Sequence, residues 1–277
     1  MIVSFVSYFS LNMNFIKDDD GKGQINKKIE LIEWSSGSIF KILFYPNDLE
    51  NIKVVEGKIM MPRAIFELKE ELENTYKKIG VNDEENKPLF IIPTFTLSAY
   101  LKNGFYDFYN RNCDTKCLTT KIVFEDVFDY NSSANAIKIL QLLGYDSISD
   151  FELHNNPEIL KKYDKIIVLH NEYVSRTMFD AINSHNNVIF LFPNALYAEI
   201  NVDTINKKIT LIRGHNYPNS EIQNGFGWEN ENTHPYEFDS NCENWEFYPI
   251  SNGYMLNCYP ENIIWQDESF LKFLKDL

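Results

Sequence analysis

Positive charge is what this 277-residue chain has least of: 26 Lys and Arg stand against 40 Asp and Glu, a formal net charge of −14. A surface of that sign repels phosphate backbones and anionic headgroups, which argues against nucleic acid as a partner. Apart from Asp18-Asp19-Asp20 the acids are scattered, as on a solvated surface rather than an acidic tail. Long apolar runs are missing as well, and no stretch approaches the ~18 residues of a membrane span. Met1 to Ile16 is apolar, but no Lys or Arg precedes the run, Asn12 and Asn14 interrupt it, and no small-residue cleavage site follows. It reads poorly as a secretory leader, and the compartment stays open. Cysteine is scarce: Cys113, Cys117, Cys242 and Cys258 allow two disulfides or four buried thiols. The Cys113 to Cys117 spacing suits a local bridge or inert thiols better than zinc. Also absent are the glycine-rich loops that cradle phosphates, the His-Glu-x-x-His of zinc proteases and the Gly-x-Ser-x-Gly of serine hydrolases, which removes the fingerprints of those classes.

What is present is an ordinary globular composition, 44% hydrophobic, enough for a full core. Residues 1–85 read as an α+β elaboration, with a strand at Ser38 to Phe44 and an amphipathic helix from Ala64 to Ile79 ended by Gly80. After a polar linker, Val81 to Lys87, the pattern changes to that of an α/β domain over 86–277. Pro88 to Pro93, Tyr145 to Ser149, Lys165 to His170 and Asn187 to Phe192 read as buried strands. Helices are expected at Ser132 to Leu143, capped by Ser132 or Ser133, and from about Ser175. This alternation predicts βαβ units, an open, mostly parallel sheet with helices on both faces, and ligands at the strands' carboxyl ends. Tyr197 to Val202 and Lys208 to Arg213 read as a hairpin at the sheet edge, and an aromatic C-terminal segment follows Gly225, with an apolar-faced stretch at Ser269 to Leu274.

The sharpest chemical feature is Leu169-His-Asn-Glu-Tyr-Val-Ser175, where a buried strand runs toward a helix. Such junctions expose their residues at the sheet's carboxyl edge, and this one offers Glu172 rather than Cys or Ser. A carboxylate there can be a metal ligand, a general base or a cap for the helix. His170 can be a catalyst or a hydrogen-bonded core residue. A second cluster, Arg213-Gly-His215, sits at a strand end where Arg213 and His215 can orient a substrate, and a loop from Asn224 to His234 mixes glycine, aromatic and amide residues. Asn131-Ser-Ser133 is a glycosylation sequon, which alone decides nothing.

The order Ile92-Pro-Thr-Phe-Thr-Leu-Ser-Ala-Tyr100, Asn103-Gly-Phe-Tyr106, His170-Asn-Glu-Tyr173 and Leu191-Phe-Pro-Asn-Ala-Leu-Tyr197 resembles the C-terminal region of the N,N-dimethylformamidase large subunit and its relatives. That resemblance covers about half the chain. It implies a class I glutamine amidotransferase-like, flavodoxin-like sheet and an iron bound by two tyrosines and a glutamate for amide hydrolysis. Carried over, Glu172 is the glutamate and Tyr100 one tyrosine, with Tyr106 and Tyr109 as candidates for the other. Val174 stands where the family has Trp, and Pro193 where it has Gly. Carboxylate and phenolate oxygens suit a Lewis-acidic iron or zinc; packing is the alternative fate of the tyrosines. Two functions are therefore expected: a metal-dependent hydrolase of a small-molecule amide, or a non-catalytic module that recognises a protein or glycan through its aromatic C-terminal surface.

Overall fold

The computed structural model describes residues 6–10, 30–34, 37–55, 58–230 and 236–277. Most of the candidate leader, Asp18 to Asp20 and Glu231 to His234 lie outside the described residues. The N-terminal part is an antiparallel sheet in which β1 (Val6–Ser10), β2 (Glu30–Trp34) and β3 (Lys41–Phe44) are sequential neighbours. A small hairpin, β4 (Lys53–Val55) and β5 (Lys58–Met60), precedes β6 (Ile65–Glu67), which pairs with β3. The helix expected from Ala64 to Ile79 is thus a strand in its first part and a helix, α1 (Glu73–Ile79), only in its second. Ile65 and Phe66 have backbone partners in Leu43 and Ile42, and that ladder outweighs their helical spacing.

The main sheet starts at β7 (Leu89–Ile92), followed by α2 (Thr94–Tyr100) and α3 (Phe105–Tyr109). After β8 (Thr119–Lys121) come α4 (Ala134–Leu142), β9 (Asp146–Ser149), α5 (Asp150–Asn155) and β10 (Ile166–Val168). Then β11 (Tyr173–Ser175), α6 (Arg176–Asn183), β12 (Val188–Phe190), β13 (Ala198–Asp203) and β14 (Lys208–Arg213) follow, and β15 (Phe247–Ile250), β16 (Gly253–Leu256) and α7 (Glu268–Asp276) complete the chain. The six-stranded sheet has the order β15-β16-β12-β10-β7-β9 and is parallel except for β15 at one edge.

Both faces of this sheet are covered, which is why its central strands β7, β10 and β12 are apolar at every position. Leu89, Ile91, Ile166, Val168, Val188 and Phe190 point into a core shared with Phe95, Met178 and Ile182. Their neighbours Phe90, Ile167, Leu169, Ile189 and Leu191 point the other way, into a core shared with Ile42, Phe44 and Phe66 of the N-terminal sheet, Leu140 of α4 and Phe270 of α7. The N-terminal elaboration therefore packs on one continuous apolar cluster with the parallel sheet.

Two further differences from the sequence reading matter for function. The β13–β14 hairpin does not extend the main sheet; it belongs to a separate sheet, β11-β13-β14-β8. β16, unrecognised in the sequence, takes the place beside β12. Cys113 is bonded to Cys117 and Cys242 to Cys258. Many tail aromatics are internal: Trp265 and Phe270 are fully buried, and Trp245 stacks its edge against Phe270. Among the described residues, no helix is long and apolar enough to cross a membrane.

Candidate active site at the carboxyl edge of the sheet

Strand β7 continues to β9 on one side and the chain later adds β10 on its other side, so the strand order reverses between β7 and β10. Crevices form at such points, beyond the carboxyl ends. Tyr100 comes from the helix after β7, and His170 and Glu172 come from the turn after β10. The turn does not lead directly into a helix: Glu172 precedes β11, and Ser175 caps α6 by accepting a hydrogen bond from Met178 N at 3.3 Å. Glu172 is not that helix's cap, which removes one of its three readings.

The backbone of Glu172 is fixed on both sides. Its N–H donates to Thr96 Oγ1 on α2 at 3.0 Å, and its carbonyl accepts from Ala198 N on β13 at 2.9 Å. Helix α2 is itself anchored where Phe95 N donates to the buried Asp150 carboxylate at 2.8 Å. The side chain is 1% exposed. His215 Nε2 lies 2.5 Å from Oε1 and His170 Nε2 lies 3.7 Å from Oε2, with the Tyr100 hydroxyl also against the carboxylate. Neither carboxylate oxygen, nor either imidazole Nε2, has a hydrogen-bond partner of good alignment among the described residues. Burial pushes the Glu172 carboxyl up, but His215, His170 and Tyr100 together hold it below the usual range. Burial and the nearby Glu172 charge push the Tyr100 hydroxyl well up.

His170 is oriented by its partners: Nδ1 lies 2.5 Å from the Asn131 carbonyl oxygen, which can only accept, so Nδ1 carries a proton and Nε2 is turned toward Glu172. Its backbone N–H donates to Ser133 Oγ, and the Tyr259 hydroxyl lies 3.3 Å from Nδ1. Ser133 is thus drawn to the site in a left-handed conformation and leaves α4 without a side-chain cap; Glu261 serves that helix instead.

These groups line a cavity of about 440 Å³ together with Lys58, Asn194 and Glu237. A second cavity of about 400 Å³ adjoins it, sharing Tyr130 and Asn131 and lined also by Arg63 and Glu261. Of the residues singled out in the sequence, Tyr100, His170, Glu172 and His215 are brought together. Arg213 is not: it is exposed at the end of β14 and lines neither cavity. Tyr106 lies flat on Tyr100 at a centroid distance of 4.6 Å, and Tyr109 stands edge-on to His215. Sequence reasoning missed Thr96, Asn131 and Tyr259. Only Thr96, inside the Pro-Thr-x-Thr segment, carried a signal.

Residues 66–243 match the family model described as N,N-dimethylformamidase beta subunit-like, C-terminal. The chain belongs to this family. No curated protein matches it. The metal expected from the resemblance can be weighed against the donors here. Among the described residues, no three His, Cys, Asp or Glu side chains form a metal-holding group. Counting the phenol changes the tally: a carboxylate with two orphaned oxygens, an imidazole with an orphaned nitrogen and the Tyr100 hydroxyl converge in a buried pocket. Orphaned polar atoms in this number are costly unless something else satisfies them, and the oxygen and nitrogen set fits iron or zinc. A cation there would also invert the local preference that keeps Tyr100 protonated.

Proposed function

We propose that the protein is a metal-dependent hydrolase of a C–N bond in a small-molecule amide, working at the reversal point of an amidotransferase-like, flavodoxin-like sheet. The observation that carries this reading is the buried Glu172 carboxylate, with both oxygens unmatched and His170, His215 and Tyr100 turned toward it. Membership of the N,N-dimethylformamidase-like family supports an amide as the substrate class.

In this reading Glu172 and Tyr100 hold the ion, which when bound polarises an amide carbonyl and lowers the pKa of water. The remaining steps fall to the chain. His170, its Nδ1–H committed to Asn131, has an Nε2 lone pair available to take a proton from the attacking water and to return it to the leaving amine. Tyr100, Tyr106 and Tyr197 wall the pocket and limit water around the scissile bond. Asn194, whose amide donates to Glu237 at 2.6 Å, leaves a carbonyl oxygen that can orient an amide N–H.

Elemental analysis of the purified protein by inductively coupled plasma mass spectrometry, followed by an amide screen that measures amine release, tests this. About one equivalent of iron or zinc is expected, with metal lost in Glu172→Ala. Amidase activity should fall at least ~100-fold in His170→Ala, as for loss of a general base. Arg213→Ala should leave both unchanged. A well-folded wild type that takes up no metal when iron and zinc are supplied overturns the reading.

A further inference from the structure

The family resemblance leads one to expect a second tyrosine beside Glu172, and the two candidates do not supply it. Tyr106 is 37% exposed and occupied in stacking on Tyr100; Tyr109 is 45% exposed; no hydrogen bond joins either to the carboxylate. The group that stands at Oε1 is the His215 imidazole, its Nε2 2.5 Å away. An ion seated on Glu172 Oε1 would therefore have a ring nitrogen of His215 beside it.

The delivery of His215 is built into the backbone. Gly214, His215 and Asn216 have successive positive φ angles of 119°, 51° and 65°. For a residue with a side chain such a conformation is strained, and persists where the surroundings over-determine it. They do so here. Gly214 and Tyr217 exchange backbone hydrogen bonds at 3.0 Å, His215 N donates to Gln223 O, and Asn216 N donates to Ile222 O. The ring is held by Tyr197, Tyr173 and Tyr109, with centroids at 4.5, 5.5 and 5.5 Å. The loop backbone and these three rings together place the imidazole over the carboxylate.

Resting on the metal-dependent reading above, we propose that His215 Nε2 is a direct donor to the ion at Glu172, in the place of the second tyrosine. The site then offers one carboxylate, one phenol and one imidazole. Replacing a phenolate by neutral imidazole removes a negative charge and softens the donor set, which favours a divalent first-row cation, zinc or ferrous iron, over ferric iron.

The test uses the full chain, freed of metal with a chelator and titrated near neutral pH with zinc and cobalt(II), following heat and the cobalt absorption bands. Substitution of an outer residue that merely orients a ligand costs 10–100-fold in affinity, so His215→Ala should exceed ~100-fold and change the cobalt spectrum. Tyr106→Phe and Tyr109→Phe should remain close to wild type. His215→Gln, which fills the same space, guards against a folding defect in the alanine variant; both are melted in the metal-free state. Wild-type binding that survives His215→Ala with an unaltered spectrum, or that is lost as fully in Tyr106→Phe, overturns the His215 assignment alone. No wild-type binding, or binding indifferent to Glu172→Ala, overturns the metal reading and this inference with it.

Discussion

Glu172 and Glu261 are two glutamates of equal burial, 1% and 0% exposed, serving opposite ends. Glu261 is fully used by the fold: Oε2 accepts from Asn135 N at 3.0 Å and Oε1 from Ala136 N at 3.1 Å, so it caps α4 across more than a hundred residues of sequence. Burial nevertheless dominates and pushes its carboxyl from the ordinary 4.5 up to about 8. Glu172 has no aligned partner for either oxygen, yet is held below the usual range by the imidazoles and the phenol around it. Burial alone therefore does not mark a site. Unmet bonding capacity, facing a cavity and other unmet groups, does.

The contrast can be broken most forcefully at Glu261. Glu261→Ala strands the Asn135 and Ala136 amides and should cost about 2–4 kcal/mol in denaturant unfolding, while metal uptake by the folded fraction stays as in wild type. A cost below ~1 kcal/mol would show that the cap is dispensable. A smaller effect concerns pH. The folded state holds a proton on Glu261 that the unfolded chain releases near 4.5, so this group's stabilisation is complete below that value and is lost as pH rises to about 8. Relative to Glu261→Gln, wild type should lose on the order of 1–3 kcal/mol across that window; parallel pH profiles would contradict the assignment. The smallest change is expected at the other glutamate. Metal-free Glu172→Gln keeps the shape and removes a buried charge whose desolvation offsets much of its attraction to the imidazoles, so its unfolding free energy should lie within ~1 kcal/mol of wild type. A loss rivalling that of Glu261→Ala would make Glu172 a structural residue.

Much of the fold was legible because each buried strand reads as a short apolar run closed by proline, glycine or a polar turn, as Pro88 to Pro93 does. The carboxyl edge, and with it His170 and Glu172, followed from the alternation of strands and helices. Local pattern failed where pairing is non-local. Ile65 to Glu67 has helical spacing but meets β3, and Gly253 to Leu256 lies beside β12, with Gly253 opposite Val188. It failed again in the site, where His215 reaches Glu172 from beyond the end of β14 and Tyr259 reaches His170 across 89 residues. Spacing in sequence carries no record of such meetings. Arg213 and His215, two residues apart and equally promising as letters, part company because Gly214 turns the chain between them, leaving one in solvent and the other in the pocket.

The glycines that shape this loop also determine how the site can be lost. Gly225 donates to Tyr197 O at 2.8 Å, and a Cβ there would lie 2.6 Å from Glu199 N and against the Arg213 carbonyl. At Gly214 the added atom would meet Ala198 at 3.0 Å. A single methyl at either position would pry the loop off the hairpin and carry the imidazole with it, while every donor residue remained in the sequence. A descendant of this chain can therefore keep every residue of the proposed site and still lose its arrangement, and in any lineage these two glycines tell as much about a retained site as the histidine does.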